Sequence, residues 1–313
     1  MIKKYFVMAA AALAMVGCSN EDDILNNDTA NELVSIASVA VDGQATRAIN
    51  SENKLVDASL LVFIDDADEK YKANGEVWQH TSAEGWKFYK APVSKDIAQA
   101  YWKGGTVTWR AASFDGNVAS FHPEVNPQFA IASTFATEST LDIYDMLWGI
   151  GTSTTKDFDI TLQHAFSKVT VNVKRGTAFE GDVNLVFVNN SYRIFDNKVK
   201  TANTLAEVAM PVASSEKRNI SLCKLSTTAS GYEGSYSGIL VPQSYDASDE
   251  DNKFKITVTS TTGNYTYTSA TPVTLEAGKA YTINLQVAQD NVLAGSITAA
   301  SWTTVDAGTL ETE

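Results

Sequence analysis

The sequence predicts an all-β protein, and three observations carry that prediction. After Asn50, apolar and polar residues alternate at a period of two, as in Val183-Leu185-Phe187, Phe254-Ile256-Val258 and Tyr281-Ile283-Leu285-Val287. Turn-forming triplets punctuate these runs at Asp115-Gly116-Asn117, Thr262-Gly263-Asn264 and Ala277-Gly278-Lys279. Helical spacing is confined to Pro92–Trp102 and Leu141–Trp148, and regular strand–helix alternation is missing. The expected architecture is therefore a β-sandwich with a few short helices, not an α/β sheet.

The chain opens with a basic pair, Lys3-Lys4, and an apolar run from Tyr5 to Val16 that is too short to span a bilayer. Residues 1–17 thus read as a signal peptide. Met15-Val16-Gly17-Cys18 resembles a bacterial lipobox, which would make Cys18 the diacylated first residue of the exported protein. Two acyl chains suffice for stable anchoring. The acidic Ser19–Asp23 cluster reads as a solvated tether and resembles a surface-export signal of outer-membrane lipoproteins.

Leu33–Val41 is the first expected strand, with Leu33, Val34, Ile36, Val39 and Val41 as its apolar residues. A turn at Asp42-Gly43 leads to an exposed basic site, Thr46-Arg47-Ala48. A strand between a membrane anchor and a cuttable Arg reads as a removable part of a sheet, so residues 18–47 form a lipidated tether plus removable strand. Further on, Val56, Ala58, Leu60, Val62 and Ile64 share one parity while Leu61 and Phe63 add bulk on the other, the pattern of a central strand buried on both faces. Gly149–Thr155 reads as a linker between sandwiches covering 48–157 and 158–313. In Ile160–Val173 the apolar parity switches near Ser167-Lys168, which predicts a bulge or a strand that crosses between sheets. Ser244–Lys253 reads as an exposed acidic loop, and no internal repeat is visible.

A formal charge of −13 and a pI of about 4.7 argue against a nucleic-acid partner. The three His (His80, His122 and His164) have no Cys or second His at ligand spacing, and His164 reads as a hydrogen-bonded structural residue. Asp65–Glu69 and Asp246–Asp251 lack the spacing and glycine of a calcium loop. Gly234–Gly238 has Tyr236 where a nucleophile elbow needs Ser. Cys223 reads as a small core hydrophobe. Neither metal, cofactor nor catalytic residue is indicated. Six Trp could form sugar-stacking platforms, although large sandwiches commonly bury Trp.

ITLQHAFSKVTVNV (160–173), GILVPQSY (238–245), LEAGKAYTINLQV (275–287) and ITAASWTTVDAG (297–308), taken with the lipobox and Thr46-Arg47-Ala48, resemble the fimbrillin family of type V pilus subunits. The resemblance implies two transthyretin-like β-sandwich domains in tandem and export as an outer-membrane lipoprotein precursor. It further implies cleavage by an Arg-specific protease between Arg47 and Ala48, then assembly with other pilus subunits by strand exchange. Ile297, Trp302, Val305 and Leu310 would belong to the donor segment. Thr303, Thr304, Asp306 and Gly308 make its end polar, a departure that points to a tip or accessory subunit. The expected location is the outer membrane and then the fimbrium, with a host protein or glycan as a further partner. The rival expectation is a permanently lipidated glycan-binding protein.

Overall fold

The structure is a computed structural model that describes residues 32–42, 55, 58–65, 75–90, 99–102, 104–113, 128–176, 179, 181–191, 193–195, 198–211, 217–288 and 292–302. The signal peptide, Asp115-Gly116-Asn117, His122, residues 66–69 and most of the Pro92–Trp102 helix expectation lie outside them. The first part of the chain forms β1 (Glu32–Leu33), β2 (Ser35–Asp42), β3 (Ser59–Ile64), β4 (Glu76–Thr81) and β5 (Gly85–Lys90). It continues with β6 (Tyr101–Trp102), β7 (Val107–Ser113), β8 (Gln128–Ala130), α1 (Ser139–Tyr144), β9 (Leu147–Ser153) and β10 (Asp157–His164).

Seven of these strands make one sheet in the order β2-β10-β9-β7-β3-β4-β5. Only the β2–β10 pair is parallel. β3 lies inside the sheet and is buried on both faces, as its sequence predicts. Leu60, Val62 and Ile64 pack with Trp78, Trp109, Phe158 and Ile160, whereas Leu61 and Phe63 join a second cluster with Val77, Ala112 and Trp148. The two edge strands, β2 and β5, approach one another, so the sheet curls around the first cluster.

Residues 149–153 of the expected linker are instead part of β9, inside that sheet. Its glycines serve close approach rather than flexibility. A Cβ on Gly149 would lie 2.1 Å from the Thr161 carbonyl oxygen, and one on Gly151 would lie 2.4 Å from the Trp109 ring. The expected boundary at 157/158 shifts accordingly, because β10 is the second strand of the same sheet. Leu141–Trp148 also divides differently: the helix ends at Tyr144, and Leu147-Trp148 begins β9.

The second part contains β11 (Ser167–Arg175), β12 (Val183–Ser191), β13 (Arg193–Phe195), α2 (Lys198–Thr201), α3 (Leu205–Val208), β14 (Lys217–Ser221) and β15 (Cys223–Lys224). β16 (Gly234–Leu240), β17 (Gln243–Tyr245), β18 (Lys255–Ser260), β19 (Asn264–Thr268), β20 (Val273–Leu275), β21 (Lys279–Val287) and β22 (Val292–Ser301) follow. A five-stranded sheet, β15-β16-β11-β21-β22, faces a four-stranded one, β14-β12-β18-β19. Val169, Val171 and Val173 of β11 and Ile283, Leu285 and Val287 of β21 meet Val186, Val188, Ile256 and Val258 in one core, which also takes in Cys223.

The parity switch in 160–173 is a crossing between sheets. Ile160, Leu162 and His164 face inward in β10, Ala165 and Phe166 are both buried, and Val169, Val171 and Val173 continue on the other parity in β11. β12 differs from its expected pattern. Asn184 is an extra residue between the pairs Val183↔Ser260 and Leu185↔Thr259. That bulge turns Val186 and Val188 inward and leaves Leu185 45% exposed.

Polar contacts join the seven-stranded sheet to the second part. Buried Arg110 of β7 donates from Nε to the Ala202 carbonyl at 2.7 Å, from Nη2 to Asn203 Oδ1 at 2.9 Å, and from Nη1 to Asp65. Trp148 Nε1 donates to the Val199 carbonyl at 2.9 Å. Two outcomes follow from this packing. Gly149→Ala should lower stability by more than about 2 kcal/mol, read as a fall in denaturant midpoint, because backbone rather than a flexible side chain blocks the added methyl. Arg110→Met should cost about 2–3 kcal/mol by the same measurement, since it strands the buried Ala202 carbonyl and leaves Asp65 without its cation.

Candidate functional site

β2 is at once an edge strand and part of the core. Its register with β10 pairs Phe158 with Ile36 and Asp159 with Ser38, so Ala37 is an extra residue. The irregularity lets Ile36, Val39 and Val41 all face inward, and they are 6%, 1% and 3% exposed. Val34 (1%) joins them from the break between β1 and β2. All four pack into the cluster built from Leu60, Val62, Phe158, Ile160 and Leu162. Leu33, counted in the sequence among the strand's apolar residues, is 45% exposed. The jog at Val34 places it in β1 opposite Tyr101 instead.

The outer face of β2 is polar and tied to β10 by side chains. Ser35 Oγ donates to Asp157, Ser38 Oγ donates to Asp159 Oδ1 at 2.6 Å, and Gln163 Nε2 donates to Asp42 Oδ2 at 3.0 Å. The Ser35 hydroxyl and then Lys156 hold the Asp157 carboxyl below its usual range. Among the described residues, the outer edge of β2 receives a backbone bond from Leu55 N–H to the Val39 carbonyl at 2.8 Å.

A short strap, Gln99–Trp102, holds the start of β2. Val34 N–H donates to the Ala100 carbonyl at 2.8 Å, the Gln99 amide donates to the Val34 carbonyl, and β6 pairs with β1. Ala100 N–H in turn donates to Glu76 Oε1, and Trp78 Nε1 donates to Glu76 Oε2 at 3.1 Å. Glu76 is fully buried, and burial pushes its carboxyl up to about 7 against the opposing pull of those two bonds. Sequence reasoning missed Glu76. A lone Glu before Val77-Trp78 carries no periodic or spacing signal, and only the fold shows its carboxyl buried and accepting from Ala100 and Trp78.

At the other end of the chain, β22 pairs with β21 and sets Ile297 opposite Ile283. Trp302 is 6% exposed and stacks on His164 with ring centroids 4.0 Å apart and planes within 6°. His164 Nδ1 lies 2.8 Å from Asp145 Oδ1. Trp302, expected in a donor segment, is thus committed to this chain's own core, because its indole covers the His164 ring. Asp42 at the end of β2 and Trp302 after β22 line the same cavity of about 290 Å³, together with Gln163, His164 and Lys279. Cys18, Arg47, Ala48, Val305 and Leu310 lie outside the described residues.

Of the six Trp, Trp78, Trp109, Trp148 and Trp302 are buried, and Trp86 and Trp102 are half-buried. Among the described residues no three His, Cys, Asp or Glu side chains group as a metal site, and no helix is long and apolar enough to cross a membrane. In the acidic loop, Asp246 accepts from Ser248 and Glu250 pairs with Lys253 and Lys255.

Solved structures share this fold. A candidate cell adhesion protein from Bacteroides ovatus superposes with a TM-score of 0.57 at 16% identity, over 87% of this chain and 100% of its own. A second, from Bacteroides uniformis, superposes with a TM-score of 0.55 at 16% identity, over 87% and 99%. A C-terminally truncated tip fimbrial protein from Porphyromonas gingivalis, at a TM-score of 0.45 and 11% identity over 79% and 95%, is too distant to carry an argument. No curated protein matches the sequence. The sequence model described as Fimbrillin-like matches residues 46–302, most of the chain, and the protein belongs to that family of structural, non-enzymatic pilus subunits.

Proposed function

We propose that this fimbrial subunit is exported as an outer-membrane lipoprotein through Cys18 and matured by an Arg-specific protease that cuts between Arg47 and Ala48. Loss of β2 then opens an acceptor groove for a strand from another pilus subunit. The carrying observation is the double character of β2: Ile36, Val39 and Val41, with Val34 just before them, are buried, while the strand is held among the described residues by one ladder at the sheet edge. The family model matches from residue 46 onward, so the strand lies before the stretch that the model covers.

Removal of residues up to Arg47 takes Val34, Ile36, Val39 and Val41 out of the core. The groove left behind is floored by Phe158, Ile160 and Leu162, and the free edge of β10 presents unpaired backbone groups, normally a hazard. An extended donor satisfies both needs by β-augmentation. Four anchors at roughly 1.5–3 kcal/mol each give a gross gain on the order of 10 kcal/mol before ordering costs. Because parallel pairing is slightly the weaker kind, a donor entering antiparallel forms a better ladder than β2 does, so exchange can run downhill.

The donor of this chain would be the segment after Trp302, with Val305 and Leu310 as its anchors and Trp302 as its fixed root. Its polar composition supports a tip or accessory position, from which a host protein or glycan could be engaged. The rival reading, a permanently lipidated glycan binder, draws no support from the Trp residues, whose rings are buried or half-buried.

Treatment with an Arg-specific protease should yield a chain starting at Ala48 that forms oligomer ladders on electrophoresis, whereas Arg47→Ala should stay monomeric. A cut chain that keeps its N-terminal fragment and remains monomeric would sink the reading. The double variant Val39→Ala, Val41→Ala should lower precursor stability by about 2–3 kcal/mol in chemical denaturation. The same substitutions should leave the stability of the matured chain unchanged, since both residues have departed.

A further inference from the structure

The relay from Glu76 to the N-terminal strand runs through three groups. The Glu76 carboxylate accepts from Ala100 N–H, the Ala100 carbonyl accepts from Val34 N–H, and Val34 opens the strand that fills the core. On either side of that contact the strap adds the Gln99 amide on the Val34 carbonyl and the β1–β6 pairing. We propose that Glu76 is the positioning residue that latches the N-terminal strand, and that ionisation of its carboxyl loosens the strap and favours departure of the strand. The inference rests on the reading of β2 as removable.

The physical basis is that, among the described residues, no countercharge meets the carboxyl. The causes that act on Glu76 are burial, Ala100 and Trp78, with no charge–charge contribution from Glu32 on β1, Tyr101 on the strap, His80 on β4 or Lys87 on β5. Two neutral donors do not offset the lost hydration of a fully buried anion, which is why burial dominates. Water reaches the carboxyl when the strap lifts, so the ionised form favours the open strap and the neutral form the closed one.

The sign follows from linkage. Closed, the group titrates at about 7, above its ordinary 4.5. The stability it lends to the closed strap is therefore complete below the ordinary value and is lost as pH rises through 7. If opening fully hydrates the carboxyl, the opening constant rises on the order of 50- to 100-fold between about pH 5 and pH 8.

Hydrogen exchange on the uncut full chain tests this, with each rate corrected for intrinsic exchange. Protection of amides in residues 33–41 should fall by that factor from about pH 5 to pH 8, while amides of β12 keep theirs. Glu76→Gln, which retains a carbonyl for Ala100 N–H but cannot ionise, should flatten the profile. Trp78→Phe removes a bond that favours the anion, so its loss of protection should level off at a higher pH. A wild-type profile without slope, or a Glu76→Gln profile as steep as wild type, would overturn the latch. Should Glu76→Gln fail to fold, the wild-type slope and the direction of the Trp78→Phe shift decide the matter alone. A flat profile leaves the cleavage reading standing, whereas a steep one beside a cut chain that never polymerises sinks only that reading.

Discussion

The parallel ladder between β2 and β10 is the contact on which the rest of the molecule's logic depends. A central strand is held by two ladders and two packed faces, and its loss would dismantle the sheet. β2 has, among the described residues, one ladder and one packed face, and on that face Ile36, Val39 and Val41 are buried in the core. It is therefore part of the core and, on the proposed reading, the strand that cleavage removes. The bulge at Ala37 is the small device that makes this possible, since without it Ile36 and Val39 would point to opposite sides.

β10 links that edge to the remainder of the fold. The same segment that pairs with β2 passes through Ala165-Phe166 into β11, the middle strand of the five-stranded sheet. Arg110 and Trp148 fasten neighbouring strands of the first sheet to the α2–α3 region, and the His164–Trp302 stack fastens the end of β10 to the end of β22. The floor of the proposed groove is thus formed by strands tied into the rest of the fold at several points. The cavity shared by Asp42 and Trp302 places the exit of β2 and the root of the C-terminal segment side by side.

Legibility from sequence varied with how local the signal was. The two-faced burial of β3 and the half-buried β18 and β21 were readable because period-two patterning reports directly on which faces are covered. The parity change in 160–173 was readable for the same reason, although only the coordinates distinguish a crossing from a bulge. Gly149-Ile150-Gly151 misled, because glycine required by a nearby carbonyl and a Trp ring looks identical in sequence to glycine required by a hinge. Leu185 misled because a single extra residue in the strand reverses every side chain beyond it.

On its own, the sequence determined the all-β class, the position of the N-terminal strand between a lipobox-like stretch and Arg47, and the family resemblance. Each of those is written in short-range pattern: alternation, signal-peptide spacing, runs of a few residues. Tertiary structure decided that β2 runs parallel at an edge, that Trp302 belongs to the chain's own core, and that Glu76 is buried beneath the strap with Ala100 N–H and the Trp78 indole as its donors. These depend on which distant segments come together, and desolvation, stacking and ladder direction are properties of the assembled neighbours rather than of any residue in the line of the chain.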